Sequence, residues 1–208
     1  MTPERQGSLT GKVMQKNGFS DRLFQRNWSG KRAGFNPPGF RVLAACRKAE
    51  DVARMQELGL TGILLDLDDP QSVERAAAEV IALTDNRLYG LFNNAGYGVY
   101  GPLNTISRQQ MEQQFSANFF GAHQLTMLLL PAMTPHGEGR IVMTSSVMGL
   151  IASPGRGAYA ASKYALEAWS DALRMELRHS GIQVSLIEPG RSAPALPITS
   201  TRRKAISP

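Results

Sequence analysis

Apolar residues along this 208-residue chain follow two alternating rhythms. Runs rich in Val, Ile, Leu, Phe and Ala at residues 40 to 46, 61 to 66, 88 to 93, 139 to 145 and 182 to 188 read as strands buried on both faces. Between them, at 49 to 57, 70 to 84, 107 to 131 and 157 to 179, apolar residues return at three- and four-residue steps, the stripe of a helix with one buried side. Strand and helix in alternation predict an α/β fold with a doubly wound parallel sheet, since parallel neighbours need a long crossover that a helix supplies. Nothing between the elements reads as a linker or repeat, so one domain is expected, with residues 1 to 10 flexible.

The helix over 157 to 179 is the best marked. Ala161, Leu166, Trp169, Leu173 and Leu177 form its stripe, Gly181 is the expected stop, and Arg178 and His179 sit near its negative end. It carries Tyr159 and Lys163, whose four-residue spacing puts both on one face. Thirteen residues before the tyrosine, Ser146 ends the buried-looking run GRIVMTSS. A free phenol ionises near pH 10, too high for a base at neutral pH, and a nearby ammonium favours the phenolate. Such a trio can move a proton to or from a carbonyl oxygen while the serine donates to that oxygen.

Composition narrows the classes. The longest apolar stretches, such as LTMLLLPAM, are too short to span a bilayer, and the polar N-terminus has no secretory pattern. A single cysteine, Cys46, rules out an internal disulfide and fits a cytoplasmic protein. His123, His136 and His179 are scattered without ligand spacing, so no metal site is expected. The net charge of +6 and pI of 9.8 would suit a nucleic-acid binder. However, residues 17 to 39 carry +3 and residues 191 to 208 carry +4, which leaves −1 on the rest. No basic patch on a folded face follows, and no nucleic-acid partner is expected.

Upstream of the trio, LYGLFNNAGYGVYGPL gives a strand ending in Asn93-Asn94-Ala95-Gly96, and SANFFG places Asn118 in a long helical pattern. With Ser146, Tyr159, Lys163 and Pro189-Gly190, in that order and spacing, residues 40 to 190 resemble the short-chain dehydrogenase/reductase family. The resemblance implies a Rossmann-like fold and an oxidoreductase moving a hydride between NADP(H) and an alcohol or carbonyl substrate. Tyr159 would be general acid in reduction and base in oxidation, with Lys163 tuning it and binding the nicotinamide ribose. Ser146 would hold the carbonyl oxygen, and Asn118 would anchor a proton-relaying water. Asn93, Ala95 and Gly96 would lie along the cofactor, and Pro189 and Gly190 would open the loop over the nicotinamide.

Asp66 matches an adenine-contacting aspartate, with a turn acid ahead of Pro70 as the alternative. Arg47 and Lys48, after the strand FRVLAAC, suit the 2′-phosphate of NADP better than NAD, unless they form only a solvated turn. The helices bearing Tyr159 and Asn118 would form a homodimer or homotetramer, as they commonly do in that family.

Two segments depart from the pattern. The family writes its first strand and phosphate turn as T-G-x-x-x-G-x-G, and residues 12 to 39 contain no such motif and no apolar strand after Met14. Residues 17 to 39 read as if translated out of frame. Codons permitted by Gly18 to Ser29 yield V-L-A-T-G-C-S-S-G-I-G in the shifted frame, and the single codon of Trp28 forces a glycine there. After Pro189-Gly190 a shift permits P-I-R-T-R-F-T-D-N-V where residues 191 to 208 depart, leaving the expected last strand missing. Two readings follow: a parent reductase with frame changes, this chain itself being inactive, or a degenerate relative kept as an oligomer partner or nucleotide-binding module.

Overall fold

A computed structural model describes the backbone of residues 9–16 and the whole of residues 40–190. Six strands form one sheet: β1 (Leu9–Lys16), β2 (Phe40–Cys46), β3 (Thr61–Leu64), β4 (Gly90–Asn93), β5 (Gly139–Thr144) and β6 (Ile182–Ile187), in the order β3-β2-β1-β4-β5-β6. The helices are α1 (Ala49–Glu57), α2 (Pro70–Leu83), α3 (Arg108–Phe115), α4 (Ala122–Leu129) and α5 (Gly157–Glu176). β2 shows why the sheet is covered twice. Its odd positions Leu43 and Ala45 enter one apolar cluster with Ile63, Leu91, Ile141 and Leu166, while Phe40, Val42, Ala44 and Cys46 join Met55, Leu60 and Tyr89 on the other face. Period-two alternation with both faces apolar is what a parallel strand between helices requires.

The α/β fold is as expected, with one correction to the sheet. β3 pairs with β2, and β4, β5 and β6 pair in series, all parallel. β1 occupies the central slot but runs antiparallel to both neighbours, Lys16 facing Phe40 and Gly11 facing Asn93. Hydrogen bonding across a sheet is satisfied by either direction, so a central gap between β2 and β4 accepts a reversed strand. Its first residues, Leu9 and Thr10, fall in the stretch expected to be flexible. The out-of-frame segments at 17–39 and 191–208 lie outside the described residues.

The expected helix at 107 to 131 is three pieces. Ser107 caps α3 by accepting from the Gln110 N–H, and the Gln110 side chain accepts in return from the Ser107 N–H, a capping box. Between α3 and α4, residues Ser116–Gly121 form a π-helical turn. A Cβ on Gly121 would lie 2.3 Å from the Leu67 carbonyl oxygen, so only glycine lets the turn press against the loop after β3. The wider π turn rotates Asn118 inward, a local distortion common at functional sites. α5 ends at Glu176, short of the predicted 179, and Gly181 makes the following turn with φ of 77°. Among the described residues no helix is long and apolar enough to cross a membrane.

Candidate active site

β2, β4, β5 and β6 all finish at one edge of the sheet, and the predicted site residues gather there. Ser146 follows β5, where its Oγ accepts from the Met148 N–H at 3.2 Å, capping the short turn Val147–Gly149. The same hydroxyl donates to the Pro189 carbonyl at 3.4 Å, tying the ends of β5 and β6 together. The Ser146 hydroxyl also faces the Tyr159 phenol closely enough to favour its ionised form, Tyr159 lying in the first turn of α5. Lys163, one turn further along α5, sits 5.8 Å from the centre of the Tyr159 ring. Serine, tyrosine and lysine therefore converge as their spacing predicted.

The electrostatics of the phenol follow from its surroundings. Burial pushes the Tyr159 phenol above its ordinary 10, because a phenolate loses hydration there, and the Tyr100 phenol adds to the rise. The opposing influences are the Ser146 hydroxyl and the Arg156 guanidinium, and Lys163 is not among them. The reason is where the lysine goes. Its Nζ donates to the Thr144 carbonyl at 2.7 Å and its side chain is 3% exposed. Desolvation lowers this ammonium from 10.5 to about 8, with Glu167 pulling back weakly.

Asn118, 2% exposed, acts as a clamp. Its Oδ1 accepts from the Tyr97 N–H at 2.9 Å, and its Nδ2 donates to the Tyr97 carbonyl at 3.0 Å and to Ser162 Oγ at 3.2 Å. The turn after β4 is thereby fastened to α5. A Cβ on Gly96 would lie 3.0 Å from Asn118 Oδ1 and 3.6 Å from Lys163 Nζ, so a glycine keeps this floor low beside the lysine. Asn93 turns away from the cleft: its Nδ2 donates to Thr126 Oγ1 at 2.9 Å and contacts the Met143 sulfur. Ala95 is half-buried against the main core, and Pro189 and Gly190 close the other side of the edge.

The outlying predicted residues fare differently. Asp66 Oδ1 accepts from the Asp68 N–H at 3.0 Å, which is the turn role weighed as its alternative. Lys48 pairs with Glu50 at 3.0 Å in full solvent, and Arg47 stands at the end of β2 on the same edge as the other residues.

Three participants escaped the sequence reading. Gln114, fully buried, accepts from the Val99 N–H at 2.6 Å and donates to the Tyr97 carbonyl at 2.8 Å. Its position four residues before Asn118 was the available signal, since both then share a helix face. Tyr100 packs its ring 6.0 Å from that of Tyr159, and the Arg156 guanidinium lies 5.6 Å from the Tyr100 ring centre. Those two contacts join the loop after β4 to the start of α5 and the residue before it, far apart in the chain, where spacing carries no signal.

The arrangement fits the nicotinamide half of a dinucleotide. A low glycine floor, a buried ammonium and a phenol–hydroxyl pair surround one cleft at the carboxyl ends of parallel strands, where such sheets bind ligands. The pyrophosphate half is not built by the described residues. A glycine turn there would have to follow a parallel central strand, and β1 instead begins, rather than ends, at this edge.

The short chain dehydrogenase family matches residues 35–204. The chain is 72% identical over 190 residues to the Uncharacterized oxidoreductase YbbO of Escherichia coli (strain K12), covering 91% of this chain and 71% of that one. It is 42% identical to human Retinol dehydrogenase 5, over 73% of this chain and 49% of the relative. Among solved structures, a short-chain dehydrogenase from Streptomyces avermitilis superposes with a TM-score of 0.69 at 32% identity, over 73% of this chain and 56% of that chain. A Burkholderia phymatum short chain dehydrogenase/reductase in complex with NAD superposes with a TM-score of 0.66 at 28% identity, over 71% and 56% of the two chains. A metagenomic short-chain oxidoreductase in complex with NADP also gives 0.66, at 27% identity over 72% and 70%. With the family matched over most of its length and the Ser146, Tyr159 and Lys163 cleft in place, the chain belongs to the short-chain dehydrogenases.

Proposed function

We propose that this chain derives from an NADP-linked alcohol dehydrogenase or carbonyl reductase in which Tyr159 handles the proton. The observation that carries the reading is the convergence of the Tyr159 phenol, the Ser146 hydroxyl and the buried Lys163 ammonium beside the Gly96 floor. A bound nicotinamide supplies the hydride chemistry. Ser146 directs its hydroxyl at the carbonyl oxygen, and Tyr159 delivers its proton to the same oxygen during reduction. A phenol raised above 10 stays protonated at neutral pH, which suits the acid role. Lys163, anchored on the Thr144 carbonyl, presents its charge to the ribose side of the cleft. Asn118 and Gln114 hold the floor through the Tyr97 and Val99 backbone. Arg47 at the end of β2 supports NADP over NAD, as the single cation there without a carboxylate partner among the described residues.

The reading extends to a cytoplasmic homo-oligomer joined through α3 to α5, where Phe120 and Tyr164 are exposed. It also attributes residues 17–39 and 191–208 to shifted reading frames. Support comes from residues 12 to 39, which lack the T-G-x-x-x-G-x-G motif. The test is a chain with residues 17–39 restored in frame, assayed for NADPH oxidation by an aldehyde. Turnover that Tyr159→Phe removes is expected, and undiminished turnover in that variant sinks the mechanism. The reversed β1 favours a second reading, a degenerate relative that serves as an oligomer partner. That reading requires NADPH to leave both the original and the restored chain unbound.

A further inference from the structure

The surroundings of the Tyr159 phenol carry information about what approaches it. Two loops flank it. One, between Gly96 and Ile106, presents Tyr100 and Leu103, and the other, between Ser146 and Gly157, presents Leu150 and Ile151, all four exposed. The loops are stitched to each other: the Gly101 N–H donates to the Gly155 carbonyl at 2.9 Å, and Leu103 lies where a Cβ on Gly157 would strike it at 2.6 Å. Large apolar side chains left in solvent on loops held this firmly mark a surface that something apolar covers.

Among the described residues, one cation stands between these loops. Arg156 precedes α5, and its guanidinium rests 5.6 Å from the centre of the Tyr100 ring, which in turn lies 6.0 Å from the Tyr159 ring. Stacking on an aromatic face fixes a guanidinium while leaving its in-plane N–H donors free. Among the described residues no carboxylate pairs with it, whereas Arg108, Arg75 and Arg174 each have one. The cation also acts on the chemistry beside it, because it is the charged group that opposes the upward push of burial on the Tyr159 phenol.

We propose that Arg156 is an anion-recognition site, and that the substrate is a carbonyl compound with an apolar body and a carboxylate at its far end. The proposal rests on the oxidoreductase reading above. The carbonyl lies at Ser146 and Tyr159, the apolar body covers Tyr100 and Leu103, and the carboxylate meets the guanidinium. A planar fork of donors matches a carboxylate bidentately. A single positive charge balances a single negative one, where a phosphate of about two charges would call for further cations. The carboxylate is a handle and is unchanged by the reduction.

The experiment compares decanal with the straight-chain aldehyde acid of the same length, on the full chain and on Arg156→Gln and Arg156→Lys. Calorimetric Kd values are measured with and without NADPH, alongside kcat/KM. The expected result is that the acid binds at least about tenfold more tightly than decanal. Arg156→Gln erases that preference by weakening the acid's Kd to that of decanal, and Arg156→Lys keeps part of it. Equal affinity for the two aldehydes in the unmodified chain, or a preference that survives in Arg156→Gln, overturns the proposal. A calorimetric preference without turnover of either aldehyde in the chain restored over residues 17–39 sinks the oxidoreductase reading and leaves the anion site standing.

Discussion

Replacing Lys163 with methionine exposes the cost of the ammonium in the floor of the cleft. The side chain is 3% exposed, its Nζ donates to the Thr144 carbonyl, and burial brings it from 10.5 to about 8. At about 1.4 kcal/mol for each pH decade between the folded and unfolded values, keeping that ammonium charged costs the folded chain about 3 kcal/mol at neutral pH. The unfolded chain holds this proton up to about pH 10.5, and the folded chain releases it near pH 8. Between those values the unfolded state binds more protons, so stability rises with pH across the window and the full cost applies below it. Lys163→Met keeps the length of the stem and removes the charge, so its own stability lacks this dependence. The lost hydrogen bond to Thr144 adds a term that does not change with pH. Urea unfolding of both chains from about pH 7 to pH 10.5 should show the unmodified chain gaining about 3 kcal/mol on the variant, with similar m values. Curves that stay parallel to within about 0.5 kcal/mol would mean that the lysine is solvated and that the electrostatic account of the cleft is wrong.

Two further substitutions test how the floor is held. Gln114→Leu leaves the Val99 N–H without its acceptor while Asn118 still serves the Tyr97 carbonyl, so a loss of about 2 kcal/mol is expected. Faster amide exchange at Val99 should accompany it, and unchanged exchange would refute the clamp. Gly121→Ala forces a methyl against the Leu67 carbonyl at 2.3 Å and should cost about 2 to 3 kcal/mol in chemical denaturation; a neutral result would show that the π turn can move away.

The parts legible in advance share a cause. β2 and β4 announced themselves because burial on both faces demands nearly unbroken apolar runs, β5 and β6 because buried positions alternate along them, and α5 because its stripe repeats with the helical period. The trio Ser146, Tyr159 and Lys163 was legible because α5 presents positions four apart together and β5 delivers the residues just after it to the sheet edge. Asn93 shows the limit. Its place at the end of β4 was readable, yet its side chain serves Thr126 and Met143, a choice made by neighbours that arrive from 33 and 50 residues away.

By itself the sequence determined the alternation of strands and helices, the edge on which the chemistry collects and the absence of a glycine cradle, since each depends on local periodicity or on a motif of fixed spacing. Only the tertiary structure decided the direction of β1, the π turn that rotates Asn118 inward, the Gln114 clamp and the path of the Lys163 ammonium to Thr144 rather than toward the phenol. Those outcomes depend on which buried donors find acceptors and on how much water each charge loses, and both are set by elements that meet only after the chain has folded.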